Sequence, residues 1–176
     1  DPVSVDAFSI LSDTPSLDYN EPGEWRAVPH RELDASQDKK DSDGNRLMHF
    51  INDPPERYWP VYKGGSFNIW NSETGEVYAW ADPDDMLDRV YEKRNNSFVY
   101  AGSRSAFSEF SEDWIEDRST LPSLSHRVAF RDVARATDTR TTIPALIPSE
   151  TFLQHTAPYF ICPRGDERDD AYLPVY

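Results

Sequence analysis

Apolar and polar positions alternate most clearly in the middle of this chain. Ser66-Phe67-Asn68-Ile69-Trp70 and Glu76-Val77-Tyr78-Ala79-Trp80 place apolar side chains at every second position, the period of a half-buried strand. Asn71 to Gly75 supplies turn residues between them, so the pattern predicts a β-hairpin over 66–80. Upstream, Tyr58-Trp59-Pro60-Val61-Tyr62 is aromatic and extended, and Lys63-Gly64-Gly65 is a turn. The period then changes. Asp82 is placed to cap a helix, Pro83 suits its first position, and Asp84 and Asp85 favour its first turn. Met86, Leu87, Val90 and Tyr91 recur at helical spacing up to Lys93-Arg94, and Asn95-Asn96-Ser97 is expected to end the helix. Phe98 to Ala101 is expected to be a strand, and Ser105 to Asp117 a second, acidic helix with Phe107, Phe110, Trp114 and Ile115 on its apolar side.

The last third opens on the most β-like stretch. Val128 and Phe130 fall on one face of a strand, and Arg127, Ala129 and Arg131 on the other. Thr141 to Ile147 extends again, so a hairpin over 127–147 would carry Arg131, Arg135 and Arg140 near its tip. A helix competes, because 127, 131 and 135 are also spaced i, i+4; the β-branched residues and Pro144 favour the hairpin. Ser149 with Phe152-Leu153 is expected to start a short helix, and Ala157 to Cys162 to form a strand. Residues 1–57 are proline-rich and irregular, with Glu24 to Val28 as a short strand and Met48 to Ile51 as a short apolar run. The polar run from Asp34 to Asn45, with a turn at Asp43-Gly44, is an exposed loop within one domain spanning 1–176. The expected class is α+β, a mixed or antiparallel sheet with hairpins and two or three helices.

Composition narrows the function. Five Trp, nine Tyr and nine Phe in 176 residues can build a core and argue against full disorder. Thirty-two acidic against 18 basic residues give a net charge of −14, the wrong overall sign for a nucleic-acid binder. Residues 127–148 run against that total, with four Arg and two Asp. The single Cys162 excludes an internal disulfide and suits a reducing cytoplasm. No apolar run approaches the roughly 18 residues of a membrane span, and no signal-peptide pattern opens the chain. A first residue of Asp1 leads us to expect a fragment of a longer polypeptide.

Catalytic chemistry is not legible. His30, His49, His126 and His155 are scattered, with no zinc spacing. There is no glycine-rich phosphate loop and no G-x-S-x-G elbow. Asp82-Pro83-Asp84-Asp85 is explained by capping rather than a metal, and Asn52-Asp53-Pro54-Pro55 by a turn. The fragment is therefore not expected to be an enzyme on its own. What remains is the group Arg127, Arg131, Arg135 and Arg140 with Thr137, Thr139, Thr141 and Thr142. Arginine forks can bind phosphate or guanine O6 and N7, and Thr a phosphate oxygen or a thymine methyl. The same arginines could equally pair with Asp132, Asp138 and other acids on a solvated sheet face.

The run Arg127-Val128-Ala129-Phe130-Arg131-Asp132-Val133-Ala134-Arg135-Ala136-Thr137-Asp138-Thr139-Arg140-Thr141, continuing to Pro148, resembles a segment of the large adenine-specific DNA methyltransferases. These include fused restriction–modification enzymes of Type IIG and Type ISP, whose pattern is R-x-x-x-R-D-x-A-x-x-T-(D/N)-x-R-T followed by an apolar stretch ending in Pro. Tyr58 to Phe67 is similar to the family's P-L-Y-E-G-K-x-(I/F) segment, with Lys63 where the family has Glu. Glu24 to Ala27 and Arg31 to Asp34 are a weaker echo. The resemblance implies a target recognition domain that selects duplex DNA beside a methyltransferase core in the same polypeptide. That core would bind S-adenosylmethionine and methylate adenine N6 on a flipped base; the fragment itself would hold no cofactor. Arg127, Arg131, Arg135, Arg140 and Thr141 would face DNA, with Lys63 and Asn68 as secondary candidates. Two other classes remain open: an acidic mimic of DNA that binds a basic protein, and a docking module whose arginines are paired inside the fold.

Overall fold

The computed structural model describes residues 27–69, 71–133 and 142–161. The chain folds as α+β: β1 (Val28–His30), β2 (Trp59–Tyr62), β3 (Ala79–Ala81), α1 (Pro83–Ala101), α2 (Glu112–Glu116), β4 (Arg127–Phe130), β5 (Pro144–Ile147), β6 (Phe152–Leu153) and β7 (Tyr159–Ile161). One sheet is antiparallel, in the order β1-β7-β4-β5; the other is mixed, in the order β3-β2-β6, with β2 antiparallel to β3 and parallel to β6.

The smaller sheet is a wall between two cores. Successive strand residues point to opposite faces, and in β2 Val61 joins one core while Tyr62 joins the other. β6 does the same with Phe152 and Leu153. Val61, Phe152, Ala79 and Ala81 pack with Met86 and Val90 of α1, together with Leu33, Leu47, Met48 and Leu121. Tyr62 and Leu153 pack with Ala129, Ala145, Ile147, Tyr159 and Ile161 of the larger sheet, under Phe107, Phe110 and Ile115.

The start of α1 follows the capping chemistry: Asp82 accepts from the Asp84 N–H at 3.2 Å, and Pro83 opens the helix. Its end does not lie at Asn95-Asn96-Ser97. The helix runs on through Phe98 to Ala101 and stops at Gly102, whose φ of 53° is open to glycine. The expected strand at 98–101 is thus the last turn of α1. Tertiary contacts override the weak propensity of the two asparagines. Buried Arg94 donates to Thr120 Oγ1 at 2.7 Å, Ile115 O at 2.6 Å and Asp117 O at 3.0 Å, and its guanidinium lies over Trp114. Phe98, one turn on, packs against the larger core.

Three other expectations are corrected. The hairpin predicted over 66–80 is displaced: β3 pairs with β2, while Asn68 and Asn71 exchange backbone hydrogen bonds of 2.8 and 2.9 Å in a tight turn. The second helix is shorter than Ser105 to Asp117, because only Glu112–Glu116 is helical and residues 105–110 are a turn flanked by two bends. Phe152–Leu153 is a strand, not the start of a helix. The polar loop, in turn, is docked rather than merely exposed. Asp38 is buried and accepts from Arg89 Nε at 2.9 Å and Lys93 Nζ at 2.5 Å, tying the loop to α1. The 127–147 hairpin forms as expected at its strands, in the register Arg127↔Ile147 to Phe130↔Pro144. Glu24 to Arg26, Trp70 and Cys162, which were placed in predicted strands, lie outside the described residues.

Glu32 and Arg127 join the two sheets. Arg127 Nη2 donates to Glu32 Oε2 at 3.0 Å and to Thr151 O at 2.7 Å; the same carboxylate oxygen accepts from the Leu153 N–H of β6 at 2.7 Å. The guanidinium lies 4.9 Å from the ring centre of Tyr159 in β7. Burial pushes the Glu32 carboxyl up, and the Arg127 charge opposes that shift. Arg127→Ala leaves Glu32 buried without its cation and is expected to cost about 3–5 kcal/mol in urea unfolding. Replacing both residues with Leu is expected to cost less. A double variant as unstable as the single one would show that the orphaned charge is not the source.

His30 provides a second check. Its half-buried ring packs edge-on against Phe107 and Tyr159 at 4.7 and 5.5 Å. Burial, helped by the charges of Lys93 and Arg127, lowers its pKa from 6.5 to about 4. Between those values the unfolded chain binds a proton that the folded chain does not. His30 therefore contributes its full share of stability above pH 6.5 and loses it as pH falls toward 4; the share is on the order of 3 kcal/mol. Urea unfolding across that window should show a shallower pH dependence for His30→Gln than for the parent chain.

Candidate nucleic-acid interface

The site is built from the roots of two connections. β4 and β5 form one, and the ladder continues past the named strands because the Arg131 N–H donates to Ile143 O at 3.1 Å. Pro144 opens β5, a strand position that tolerates its missing donor. The other is the 3-10 turn Gly64–Ser66 after β2, closed by Ser66 N–H to Lys63 O at 2.9 Å and Lys63 N–H to Ser66 Oγ at 3.0 Å.

Thr156 and Arg131 bind these roots together. Gly64 N–H donates to Thr156 Oγ1 at 3.1 Å, and Asp132 N–H donates to Thr156 O at 3.1 Å. Arg131 reaches across and donates to Phe67 O through Nε at 3.2 Å and Nη2 at 2.7 Å. Gly64 is required here by close approach, since a Cβ at this position would stand 2.8 Å from Thr156 O and 3.6 Å from Arg131 Cγ. Arg31 joins from the segment after β1, donating through Nη2 to both Asp132 oxygens at 3.0 Å. Lys63 Nζ lies 3.3 Å from Glu76 Oε2. Three cations, Arg31, Lys63 and Arg131, thus surround one junction, with Asp132 and Glu76 among them.

The structure separates the sequence-derived candidates. Arg127 does not face outward. The predicted alternation of β4 holds, but its buried face carries Arg127 and Ala129, while Val128 and Phe130 are half-buried on the other face, where Phe130 stacks on Phe160 at 4.8 Å. Arg127 is 6% exposed and committed to Glu32, so it is a residue of the interior. Arg131 and Lys63 come together at the junction. Asn68 is exposed nearby, and its Oδ1 accepts from the Ile69 N–H at 2.9 Å within the tight turn. Arg135, Arg140 and Thr141 lie outside the described residues, in the connection between β4 and β5.

The pattern of residues did not single out Arg31, Glu76 or Thr156 as site residues. Arg31 and Asp132 are 101 positions apart, Gly64 and Thr156 are 92 apart, and no local signal links them. Asp132 pairs with Arg31, while Arg127 and Arg131 go to Glu32 and Phe67 O. Elsewhere, an open cleft of about 890 Å³ is lined by Val28, Pro29, Phe98, Arg104, Ser105 and Glu109 among others; it shares no residue with this junction. Among the described residues no group of three or more His, Cys, Asp or Glu side chains is placed to hold a metal ion, and no helix is long and apolar enough to cross a membrane.

No protein-family model, no curated protein and no solved structure matches this chain.

Gly64→Ala tests the junction directly. The new methyl group meets a backbone oxygen that cannot swing aside, and overpacking of this kind costs typically about 1–3 kcal/mol. Thermal unfolding should report a loss of that size. An unchanged midpoint would mean that the two roots are not held in contact.

Proposed function

We propose that this chain is a duplex-DNA recognition module of an adenine-N6 DNA methyltransferase or restriction–modification enzyme, acting beside a core that binds S-adenosylmethionine. The observation that carries this reading is the junction itself. The two segments that resemble the methyltransferase family, Tyr58 to Phe67 and Arg127 to Pro148, are far apart in sequence, yet they meet through Arg131, Phe67, Gly64 and Thr156. A direct contact between the two segments fits a single working unit, and the cations Arg31 and Lys63 stand at its rim.

Phosphate contacts position a protein on DNA, and base contacts select the sequence. In this reading Arg31 and Lys63 hold the backbone, with Asn68 as a neighbouring polar contact. Arg135, Arg140 and Thr141, carried by the connection between β4 and β5, read the groove. Arg131 sets the position of that connection through Phe67 O, and Arg127 holds its strand in the core. The net charge of −14 repels DNA at long range, so local cations and the core of the same polypeptide must supply the attraction.

A docking module for a protein partner is the second reading. Two observations favour it: Arg127 is spent on an internal ion pair, and Val99 and Tyr100 at the end of α1 are 66% and 80% exposed.

Selection from a pool of randomised duplexes at low salt, followed by sequencing of the retained DNA, separates the two. Recognition predicts enrichment of one short motif that is lost in Arg140→Ala. It also predicts a salt dependence reduced by about one phosphate contact in Lys63→Ala. If the chain joined to its methyltransferase core retains no duplex, or if Arg135→Ala and Arg140→Ala leave selection unchanged, the recognition reading is wrong.

A further inference from the structure

Both cations at the rim of the junction are already held by carboxylates. Lys63 Nζ and Glu76 Oε2 are 3.3 Å apart, with side chains 41% and 62% exposed. Arg31 and Asp132 form a forked pair at 3.0 Å, with side chains 61% and 29% exposed. Such exposed pairs contribute little to folding. A phosphodiester offers the same recognition element as a carboxylate, two anionic oxygens on one centre, to an ammonium or a guanidinium.

The two carboxylates are not equivalent. Asp132 is fixed by its backbone hydrogen bond to Thr156 O, so Arg31 would have to leave it. Glu76 is exposed and its carboxylate lies against the 3-10 turn beside Gly65. A Cβ at Gly65 would stand 3.0 Å from Glu76 Oε2 and 3.4 Å from Lys63 Cε, in the space where the two side chains meet. Glycine at 65 leaves that space unfilled, and the Glu76 side chain, 62% exposed, is free to swing into solvent when a competing anion arrives.

We propose that Glu76 is a built-in competitor for DNA phosphate: in the free domain it occupies Lys63, and binding exchanges its carboxylate for a phosphate oxygen. This rests on the DNA-recognition reading and adds to it a means of suppressing binding to duplex in general. A backbone contact that must first displace a carboxylate contributes less to non-specific affinity, which leaves a larger share of the discrimination to the base contacts.

The test is a double-mutant cycle on the 176-residue chain, joined to its methyltransferase core if the chain alone does not bind. Lys63→Ala, Glu76→Gln and the double variant are titrated with a fluorescent duplex of randomised sequence at low salt. Glu73→Gln, at a nearby exposed acid, controls for the loss of one negative charge. Competition predicts that Glu76→Gln tightens binding about two- to fivefold, more than Glu73→Gln does. It also predicts that this excess disappears in the Lys63→Ala background. Equal gains from Glu76→Gln and Glu73→Gln, or the same gain in both backgrounds, overturn the proposal while leaving DNA recognition intact. Absence of any duplex binding, even with the core attached, removes both.

Discussion

The carboxylate of Glu32 meets the guanidinium of Arg127 in the interior, where neither charge is tolerable alone. Removing two ions from water is costly, and the Coulomb attraction between them offsets that cost only in good geometry. The geometry here is shared among the main structural parts. One oxygen of Glu32 takes the hydrogen bonds of both Arg127 and the β6 backbone, and Arg127 reaches Thr151 O while lying over Tyr159. The residue after Glu32 extends the same seam, since Leu33 N–H donates to Leu153 O at 3.1 Å. Among the described residues, Glu32 Oε1 and Arg127 Nε and Nη1 have no hydrogen-bond partner. An incompletely satisfied pair is a poor source of stability. Its effect is on position, because any placement of the larger sheet against β6 that separates the two charges strands both of them.

That positioning matters because the smaller sheet is only one layer thick between two cores. β2 and β6 commit alternate residues to opposite sides, so neither core can shift without moving the other through the same backbone. The junction at Thr156 lies just beyond β6, and the Gly64–Ser66 turn just beyond β2. The outward cations are thus placed by the wall, a few residues past the point where each strand leaves it.

Local chemistry was legible and long-range pairing was not. Asp82 and Pro83 announced the start of α1 because capping involves neighbours in sequence. The end of α1 was misread because Asn95-Asn96-Ser97 is a strong local stop, whereas what overrides it is Arg94 reaching residues 21 to 26 positions away. The alternation at 66–70 does not become a strand: Ser66 is buried along with Phe67, Ser66 closes a 3-10 turn, and the backbone pairing of Asn68 with Asn71 leaves β2 as the partner of β3. β6, at two residues, is too short to carry a period, and its partner lies far upstream. For β4 the pattern separated the two faces without saying which is inside. Charge made the arginine face look outward; the buried carboxylate that turns it inward lies 95 residues away. The basic stretch therefore divides between interior and rim, and no property of the stretch alone could divide it.

The pairing scheme also constrains how the chain is made. β2 has its antiparallel neighbour close behind it, but its parallel neighbour is β6, and among the described residues β1 pairs with β7. During synthesis, neither sheet is complete until the segment from Phe152 to Ile161 has left the ribosome. Until then β1, one edge of β2 and one edge of β4 wait for their partners beside exposed apolar faces, the kind of surface that chaperones bind and that aggregates when crowded. A nascent chain stalled before β6 has α1 and the strands of two ribbons, β2–β3 and β4–β5, and cannot bury Arg127 against the β6 backbone.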